Sequence, residues 1–129
     1  MSALVVDTSS WIAYFRGVGS GVIDEALREA RVHLPPLVAA ELLSGRLSAR
    51  DRAALEDLLR DLGPCRSDLA HWFRVGALRG ELSRHGLSVS TPDAHVAQCA
   101  LDLDAELLTE DEVFRLIARR HSLRLAPRA

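Results

Sequence analysis

Lysine is absent from this chain of 129 residues, so arginine supplies every basic side chain apart from the histidines. The absence excludes a phosphate-binding loop of the GK[ST] type, a Schiff-base lysine, and a phospho-receiver pocket that needs a lysine beside its acids. A GC-rich coding sequence, which favours arginine codons, is a sufficient cause of the bias. The exclusions hold whatever the cause.

Cysteine is scarce, and long apolar runs are missing. The two cysteines, Cys65 and Cys99, lie far apart and form no CxxC pair, so the pattern indicates neither a disulfide framework nor a zinc knuckle. No apolar run approaches the ~18 residues that cross a bilayer, and the opening letters MSALVVD lack the basic region of a secretory signal. We therefore expect a cytoplasmic protein without a membrane segment.

The residues that are present predict a folded globule. Apolar residues make up 48% of the chain and charged residues 26%, which are ordinary proportions for a globular domain. The length is sufficient to bury a core, and no repeat or linker divides the chain. We therefore expect a single domain over residues 1–129.

Strand-like and helix-like segments alternate along the chain. Short apolar runs predict strands, and the segments between them carry helix caps, apolar periodicity, and glycine or proline stops. Such alternation indicates an α/β fold, a three-layer α/β/α sandwich with a central parallel sheet. The predicted strands are 4–6, 32–34, 105–109 and 123–125, and the predicted helices start near 11, 22, 36, 48, 67, 91 and 110, with a break at 16–21.

Several helix boundaries follow from local signals. Ser9 or Ser10 is expected to cap the first helix near Trp11, and Ser67 to cap the helix that Gly86 closes. The dipeptide at 63–64, Gly-Pro, is expected only to end the preceding helix. The apolar stripe predicted for the 67–86 helix contains Leu69, Trp72, Phe73, Val75, Gly76, Leu78 and Leu82.

Four acidic residues lie where a site is expected. Asp7 follows the first strand, Asp111 follows the strand that ends in ELLT, and Asp93 lies in the first turn of a helix opened by a Thr-Pro pair. In open α/β sheets, sites form beyond the carboxyl ends of the strands. Glu41 differs, because it lies among apolar neighbours in LVAAELL, where an unpaired carboxylate carries a desolvation cost.

Each acid also has an ordinary structural explanation. Asp7 can cap a helix, Asp93 can favour a helix dipole, Asp111 can be a solvated residue of TEDE, and Glu41 can pair with Arg46. For the four acids not to form a site, all four of these explanations would have to hold at once. Crowded carboxylates repel one another unless they are protonated or bridged by a cation. Oxygen-only ligands favour Mg²⁺ or Mn²⁺ over zinc.

The blocks VVDTSSWIAYFRG, AAELLSG, TPDAHVAQCA and LLTEDEVF occur in this order. The ordered set resembles the PIN-domain ribonucleases, and especially the VapC-type toxins of bacterial toxin–antitoxin pairs. The resemblance implies a PIN-like fold and an acidic quartet of Asp7, Glu41, Asp93 and Asp111, both catalytic and metal-binding. Ser9 and Thr109 match small polar residues that support the quartet.

The resemblance also implies chemistry and partners. A Mg²⁺ or Mn²⁺ ion held by the quartet would activate water for hydrolysis of RNA, without a covalent enzyme intermediate. The implied partners are a cognate antitoxin, expected to dock near residues 11–15, and a second copy of the chain. Because the net charge is −2, RNA must meet local arginines. The candidates are Arg16, Arg46, Arg50, Arg52, Arg74, Arg79 and Arg115.

The sequence departs from the family pattern at two positions. Val113 occupies a place where family members often carry another acid, which leaves a role for Glu110 or Glu112 open. His95 occupies a place that is usually apolar. Because it lies about 200° around the helix from Asp93, we expect it to pack or face solvent and not to be a ligand. The remaining histidines are expected to be scattered solvated residues: His33, His71, His85 and His121.

Two other functions remain as alternatives. A PIN-like fold with an incomplete site could serve as a catalytically weak binding or regulatory module. A haloacid-dehalogenase-type phosphatase also places an aspartate after its first strand, but it needs a second acid where this chain has Ser9, and it needs a lysine. We therefore set the phosphatase aside.

Overall fold

The computed structural model describes residues 2–19 and 21–128. Met1, Ala129, and Ser20 of the predicted break at 16–21 lie outside the described residues. The strands are β1 (Leu4–Val6), β2 (Val32–Leu34), β3 (Gly63–Pro64), β4 (Glu106–Leu108) and β5 (Arg124–Leu125). The helices are α1 (Thr8–Phe15), α2 (Gly21–Arg28), α3 (Pro36–Leu43), α4 (Ala49–Arg60), α5 (Leu69–Arg84), α6 (Thr91–Leu103) and α7 (Val113–Ala118).

The strands form one five-stranded sheet in the order β3-β2-β1-β4-β5, and every pairing is parallel. The central strand is β1, in which Leu4 lies beside Val32 of β2 on one side and beside Glu106 of β4 on the other. All three β1 residues are buried, as expected for a parallel strand covered by helices on both faces. This architecture confirms the predicted three-layer α/β/α fold.

The core lies where the helices cover the two middle strands. Val5 and Val6 of β1 and Leu107 of β4 have no exposed surface. They belong to one cluster with Trp11 of α1 and Phe114 of α7. Burying each of these large apolar side chains contributes about 1.5–3 kcal/mol. The packing therefore fixes the carboxyl ends of β1 and β4 relative to each other.

The first helix begins earlier than the serine signals predicted. α1 starts at Thr8 with Asp7 at its N-cap, so the prediction that Ser9 or Ser10 caps it was wrong. The amides of Ser10 and Trp11 donate to the Asp7 carbonyl at 3.0 and 3.1 Å. The chain thus turns from strand into helix directly at Asp7.

A short strand was missed. After α4 ends, Gly63 lies beside His33, and Pro64 lies beside Leu34, as the edge strand β3. Glycine and proline are poor strand formers, so the dipeptide predicted only the end of a helix. Proline is tolerated here because an edge strand needs no outward-facing donor.

The buried face of α5 differs from the predicted stripe. Leu69 and Phe73 are 66% and 68% exposed, and the buried residues are His71, Val75, Leu78 and Leu82. The stripe is rotated because His71 finds hydrogen-bond partners in the interior. The cap of α5 is Asp68, whose Oδ1 accepts a hydrogen bond from the His71 amide at 3.1 Å, and not the predicted Ser67.

The remaining boundaries are close to those predicted. α6 covers Thr91–Leu103 as expected, while α7 covers only Val113–Ala118 of the predicted 110–120. Residues 110–112 instead form the turn after β4. No helix in the two described ranges is both long and apolar enough to cross a bilayer.

Candidate active site

The predicted site lies where the chain reverses its direction across the sheet. From β1 the chain first builds β2 and β3 on one side, and later places β4 on the other side of β1. The carboxyl ends of β1 and β4 therefore border the crevice in which open α/β sheets bind their ligands. Asp7 follows β1 and Thr109 follows β4, and both side chains are buried.

Asp7 is the most enclosed acid of the predicted quartet, with 6% of its surface exposed. Its Oδ2 accepts hydrogen bonds from Ser9 Oγ at 2.9 Å and from Thr109 Oγ1 at 3.0 Å. The side chain makes no capping hydrogen bond to α1, which excludes the ordinary explanation of Asp7 as a helix cap. Burial raises the pKa of Asp7, the two hydroxyls oppose that rise, and the charge of Glu41 adds to it.

The two hydroxyls tie the ends of the strands together. Ser9 Oγ also accepts a hydrogen bond from the Glu110 amide at 3.0 Å, and Thr109 Oγ1 accepts one from the Asp111 amide at 3.0 Å. Both hydroxyls therefore donate to Asp7 and accept from the turn after β4. This arrangement fixes the Asp7 carboxylate and the backbone of Asp111 in one network.

Asp93 enters the site from the first turn of α6. Its amide donates to Ser90 Oγ at 3.2 Å, so Ser90 caps the helix and the Asp93 side chain does not. Burial raises the pKa of Asp93; the Ser90 hydroxyl lowers it, and the charges of Asp7, Asp111 and Glu41 raise it further. The carboxylates of the quartet are thus close enough to act on one another.

Glu41 is exposed, which contradicts the expectation that it lies among apolar side chains at a desolvation cost. The buried residues of α3 are Val38 and Leu42, and Glu41 lies at the edge of the face that they form. Thr8 Oγ1 donates to Glu41 Oε1 at 2.7 Å. This bond joins α3 to the start of α1 and turns the carboxylate toward the other acids.

Asp111 is also exposed. Its Oδ1 accepts a hydrogen bond from the Val113 amide at 3.1 Å, which holds the turn that leads into α7. The flanking acids pair with arginines: Glu110 lies 3.6 Å from Arg128, and Glu112 lies 3.7 Å from both Arg128 and Arg115. These pairs direct Glu110 and Glu112 toward the basic side chains at the rim.

Two histidines have surroundings that the sequence did not predict. His71 and His95 have no exposed surface, so the expectation of a solvated His71 was wrong. The prediction that His95 packs away from the acids is confirmed, because His71 Nε2 and His95 Nδ1 lie 2.7 Å apart between α5 and α6. Burial, with the neighbouring His71, lowers the pKa of His95 to about 4.

Sequence reasoning also missed two polar residues of the site. Thr8 was passed over although it orients Glu41, and Ser90 was passed over although it caps the helix that carries Asp93. The signal for Ser90 was available, since a serine three residues before an acid at a helix start is typical of an N-cap. Thr8 gave no such signal, because its partner lies 33 residues away.

The arginines predicted to meet RNA fall into two groups. Arg52, Arg74 and Arg79 donate to acceptors of the chain itself, the Leu43 carbonyl, Asp102 and the Val89 carbonyl. Arg115 pairs with Glu112 at 3.7 Å. Arg16, Arg46 and Arg50 are exposed and are therefore accessible to a phosphate backbone.

The chain is an open parallel α/β domain with acidic residues at the switch point of its sheet, the place where such domains bind their ligands. The sequence profile of the PIN domain matches residues 4–120. A VapC ribonuclease of Mycobacterium bovis and ribonuclease VapC11 of Mycobacterium tuberculosis are each 33% identical over 130 aligned positions, which cover 95% of this chain and 97% of each relative. The chain therefore belongs to the PIN domain family, among its VapC-type members.

Solved structures have the same fold. DNA-bound VapBC from Salmonella typhimurium matches with a TM-score of 0.80 at 22% identity, over 98% of both chains. VapBC2 from Rickettsia felis, bound to a promoter DNA fragment, matches with a TM-score of 0.78 at 20% identity, over 98% of this chain and 99% of that one. VapBC-5 from Mycobacterium tuberculosis is 25% identical with a TM-score of 0.68, over 97% and 98% of the two chains.

Proposed function

We propose that this protein is a divalent-cation-dependent ribonuclease and the toxin of a toxin–antitoxin pair. One observation carries the proposal: a buried Asp7 carboxylate, fixed by two hydroxyls, lies within electrostatic reach of Glu41 and Asp93 at the switch point of the sheet. The ribonuclease names of the relatives that are 33% identical support the same function.

The residues present fit a hard divalent cation. The donors are carboxylate oxygens, with hydroxyls behind them, and such a set favours Mg²⁺ or Mn²⁺ over thiophilic metals. Burial and mutual repulsion raise the pKa values of Asp7 and Asp93, and a cation would reverse both effects. We propose that Asp7, Glu41, Asp93 and Asp111 hold this cation and are the catalytic residues.

A bound cation would supply positive charge at the scissile phosphate and a more acidic water. The chain positions its own groups for that chemistry. Ser9 and Thr109 fix one oxygen of Asp7, and Thr8 orients Glu41.

The substrate proposal rests on charge. An acidic pocket in a chain of net charge −2 repels a polyanion, so RNA binding needs cations beside the pocket. We propose the exposed Arg16 and Arg46 for this role. Each follows a helix that carries or borders the acidic residues, α1 and α3 respectively.

The partner proposal places an antitoxin at a groove next to α1. An open groove of about 450 Å³ is lined by Phe15, Leu47, Ala54, Leu55 and Leu58, with Asp51 at its edge. Phe15 is 48% exposed, whereas Trp11 of the predicted 11–15 surface is buried. An apolar groove of this kind suits an amphipathic segment. We further propose a homodimer in the cytoplasm and one domain over residues 1–129, the latter supported by the continuous core.

Cleavage of total RNA tests the proposed function. We expect cleavage with Mg²⁺ or Mn²⁺ and none with a chelator. Asp7→Asn and Asp93→Asn should each lower the rate by about a hundredfold or more, because each removes one anionic ligand. The matched control is Asp61→Asn, which changes the charge equally at an exposed residue at the end of α4 and should cleave normally.

Two outcomes would contradict the proposal. Full activity in Asp7→Asn would show that the acidic site takes no part in the reaction. RNA binding without cleavage under any divalent cation would favour the alternative, a catalytically weak PIN-like binding module. Arrested growth on expression of the wild type but not of Asp7→Asn would support the toxin role.

A further inference from the structure

A second group of side chains that can bind a metal lies between α5 and α6, buried and separate from the acids. His71 on α5 and His95 and Cys99 on α6 are 0%, 0% and 1% exposed. His71 Nε2 lies 2.7 Å from His95 Nδ1, and Cys99 Sγ lies 3.9 Å from both ring nitrogens of His95. One donor atom from each of the three residues lies within 4.8 Å of the other two.

The hydrogen bonds around His71 prepare one of its nitrogens as a ligand. Asp102 Oδ2 lies 3.2 Å from His71 Nδ1, and Asp102 is itself fixed by Arg74 at 2.8 and 3.1 Å and by Gln98 at 2.8 Å. A carboxylate held in this way keeps the proton on Nδ1 and leaves the Nε2 lone pair directed at His95. Metal-binding histidines are oriented by the same carboxylate contact.

The other buried cysteine is not part of this group. Cys65, which follows β3, is buried, but among the described residues the donor atoms that lie within 4.8 Å of one another belong to His71, His95 and Cys99 alone. The group therefore supplies three donors, which are two imidazole nitrogens and one thiol.

We propose that His71, His95 and Cys99 form a buried three-donor site for a thiophilic divalent cation, with Zn²⁺ the best match. The Cys99 thiolate and the Asp102 carboxylate behind His71 would together balance the two positive charges of the ion, and a water molecule would take the fourth position of the tetrahedron. The histidine and cysteine donors exclude the Mg²⁺ chemistry proposed for the acids. Loading would release the Cys99 thiol proton, while the proton between the two imidazoles would move to His95 Nε2, so that both rings stay neutral.

The distances require only small shifts. Zinc ligands at about 2.0–2.3 Å from the metal in a tetrahedron lie about 3.3–3.8 Å from one another. The two imidazole nitrogens, at 2.7 Å, must separate by about half an ångström. The Cys99 sulfur, at 3.9 Å from His95, must approach by a few tenths. Rotations of side chains are sufficient for both changes.

The bound metal would link α6 to α5. His95 and Cys99 lie on the side of α6 that faces α5, and Asp93 lies at the start of the same helix. A metal here would hold α6 against α5. The proposal does not depend on the proposed ribonuclease function, because it uses none of the acidic residues.

Metal content and the Co²⁺ spectrum test this site directly. Protein without a histidine tag, expressed in medium with added zinc, should contain a single zinc ion per chain by atomic mass spectrometry. Metal-depleted protein refolded with Co²⁺ should show tetrahedral visible bands and a sulfur-to-cobalt charge-transfer band. Zn²⁺ should raise the melting temperature of metal-depleted Asp7→Asn, in which the acidic site is disabled, far more than Mg²⁺ does.

The variants separate this site from the acidic one. Cys99→Ser should lose the zinc and the charge-transfer band, and His71→Gln should lose the zinc. Cys65→Ser should keep both, because Cys65 lies outside the three-donor group. The controls are Asp7→Asn, which removes an acid, and His85→Gln, an exposed histidine on the C-cap of α5; both should keep the zinc and the spectrum.

Three results would overturn the proposal. The first is folded, metal-depleted wild type that binds neither Zn²⁺ nor Co²⁺. The second is a Co²⁺ spectrum without a sulfur band that disappears in Asp7→Asn, because it would place the ion among the acids. The third is a sulfur-to-cobalt band that persists in Cys99→Ser, because it would place the sulfur ligand outside the proposed site. None of these readouts requires RNA cleavage.

Discussion

Neutralising Asp7 should stabilise the metal-free protein while it abolishes activity. The residue is 6% exposed, and its pKa is raised by burial and by the charge of Glu41. Asp7→Asn keeps the shape of the side chain and one oxygen that can accept the hydrogen bonds now made by Ser9 and Thr109. The variant therefore removes a poorly solvated charge without removing its contacts.

The magnitude follows from the neighbouring charges. At an effective dielectric constant of about 20, two charges about 5 Å apart repel by about 3 kcal/mol. Screening by salt, relaxation and proton uptake reduce this repulsion. The hydroxyls of Ser9 and Thr109, which favour the charged form, reduce the gain further. We expect the free energy of unfolding to rise by about 1–2 kcal/mol, or the melting temperature by about 3–6 °C.

The same shifts predict how stability depends on pH. The pKa values of Asp7 and Asp93 in the folded state are raised above their ordinary value of 3.8. At any pH between 3.8 and the folded pKa, the folded state therefore binds more protons than the unfolded state. Their stabilising contribution is therefore complete below about 3.8 and is lost as the pH rises through the folded pKa. Metal-free wild type should gain stability from these groups as the pH falls from neutrality toward 3.8, and Asp7→Asn should gain less.

Melting curves with a chelator and with millimolar Mg²⁺ measure these effects. Mg²⁺ at a hundred times its dissociation constant would stabilise the wild type by about 2.7 kcal/mol, and Asp7→Asn by much less. Asp61→Asn controls for the change in net charge. If Asp7→Asn melts below the wild type in chelator and responds equally to Mg²⁺, the crowding of carboxylates at this edge is refuted.

Three further predictions concern the supports of the fold and site. Thr109→Val removes the hydroxyl that donates to Asp7 Oδ2 at 3.0 Å, so the pKa of Asp7 should rise. The acid limb of the pH–rate profile for RNA cleavage should then move to higher pH. An unchanged limb would contradict the role of the hydroxyl. Gly76→Ala lies in α5 with open space around the added Cβ, so it should raise the free energy of unfolding in urea by about 0.5–1 kcal/mol. Gly86→Ala lies at a φ of +83°, so it should lower the same quantity by about 1 kcal/mol. Equal effects of the two variants would contradict the backbone argument. Phe114→Ala should cost about 3–5 kcal/mol by the same measurement, because the ring has no exposed surface, and a cost below about 1 kcal/mol would contradict its place in the core.

The sequence predicted the fold because its local signals agree with one another. The β1 run and Asp7 after it, and the Thr-Pro pair that opens α6, are contiguous, and each was placed correctly. β3 could not be predicted, since its two residues form a strand only through pairing with His33 and Leu34. Such pairing between distant segments leaves no mark in a local pattern.

The polar interior was less predictable than the sheet. The periodicity of α5 placed Leu69 and Phe73 inside, but the helix buries His71, which is satisfied by His95 and Asp102. These partners lie 24 and 31 residues away, beyond any helical spacing. The apolar neighbours of Glu41 in sequence did not reveal its exposure, because only Val38 and Leu42 of α3 are buried and Glu41 lies at the edge of their face.

The edges of the sheet bear on how the protein stays in solution. Both outer strands, β3 and β5, are two residues long, and β3 ends in proline. A short edge with a missing amide offers little backbone for another chain to continue the ladder, which protects against edge-to-edge aggregation and fibril growth. A toxin has to remain dispersed both while bound to its partner and after release from it. A partner protein would then dock on the helices, because the short edge strands offer little backbone for extending the sheet.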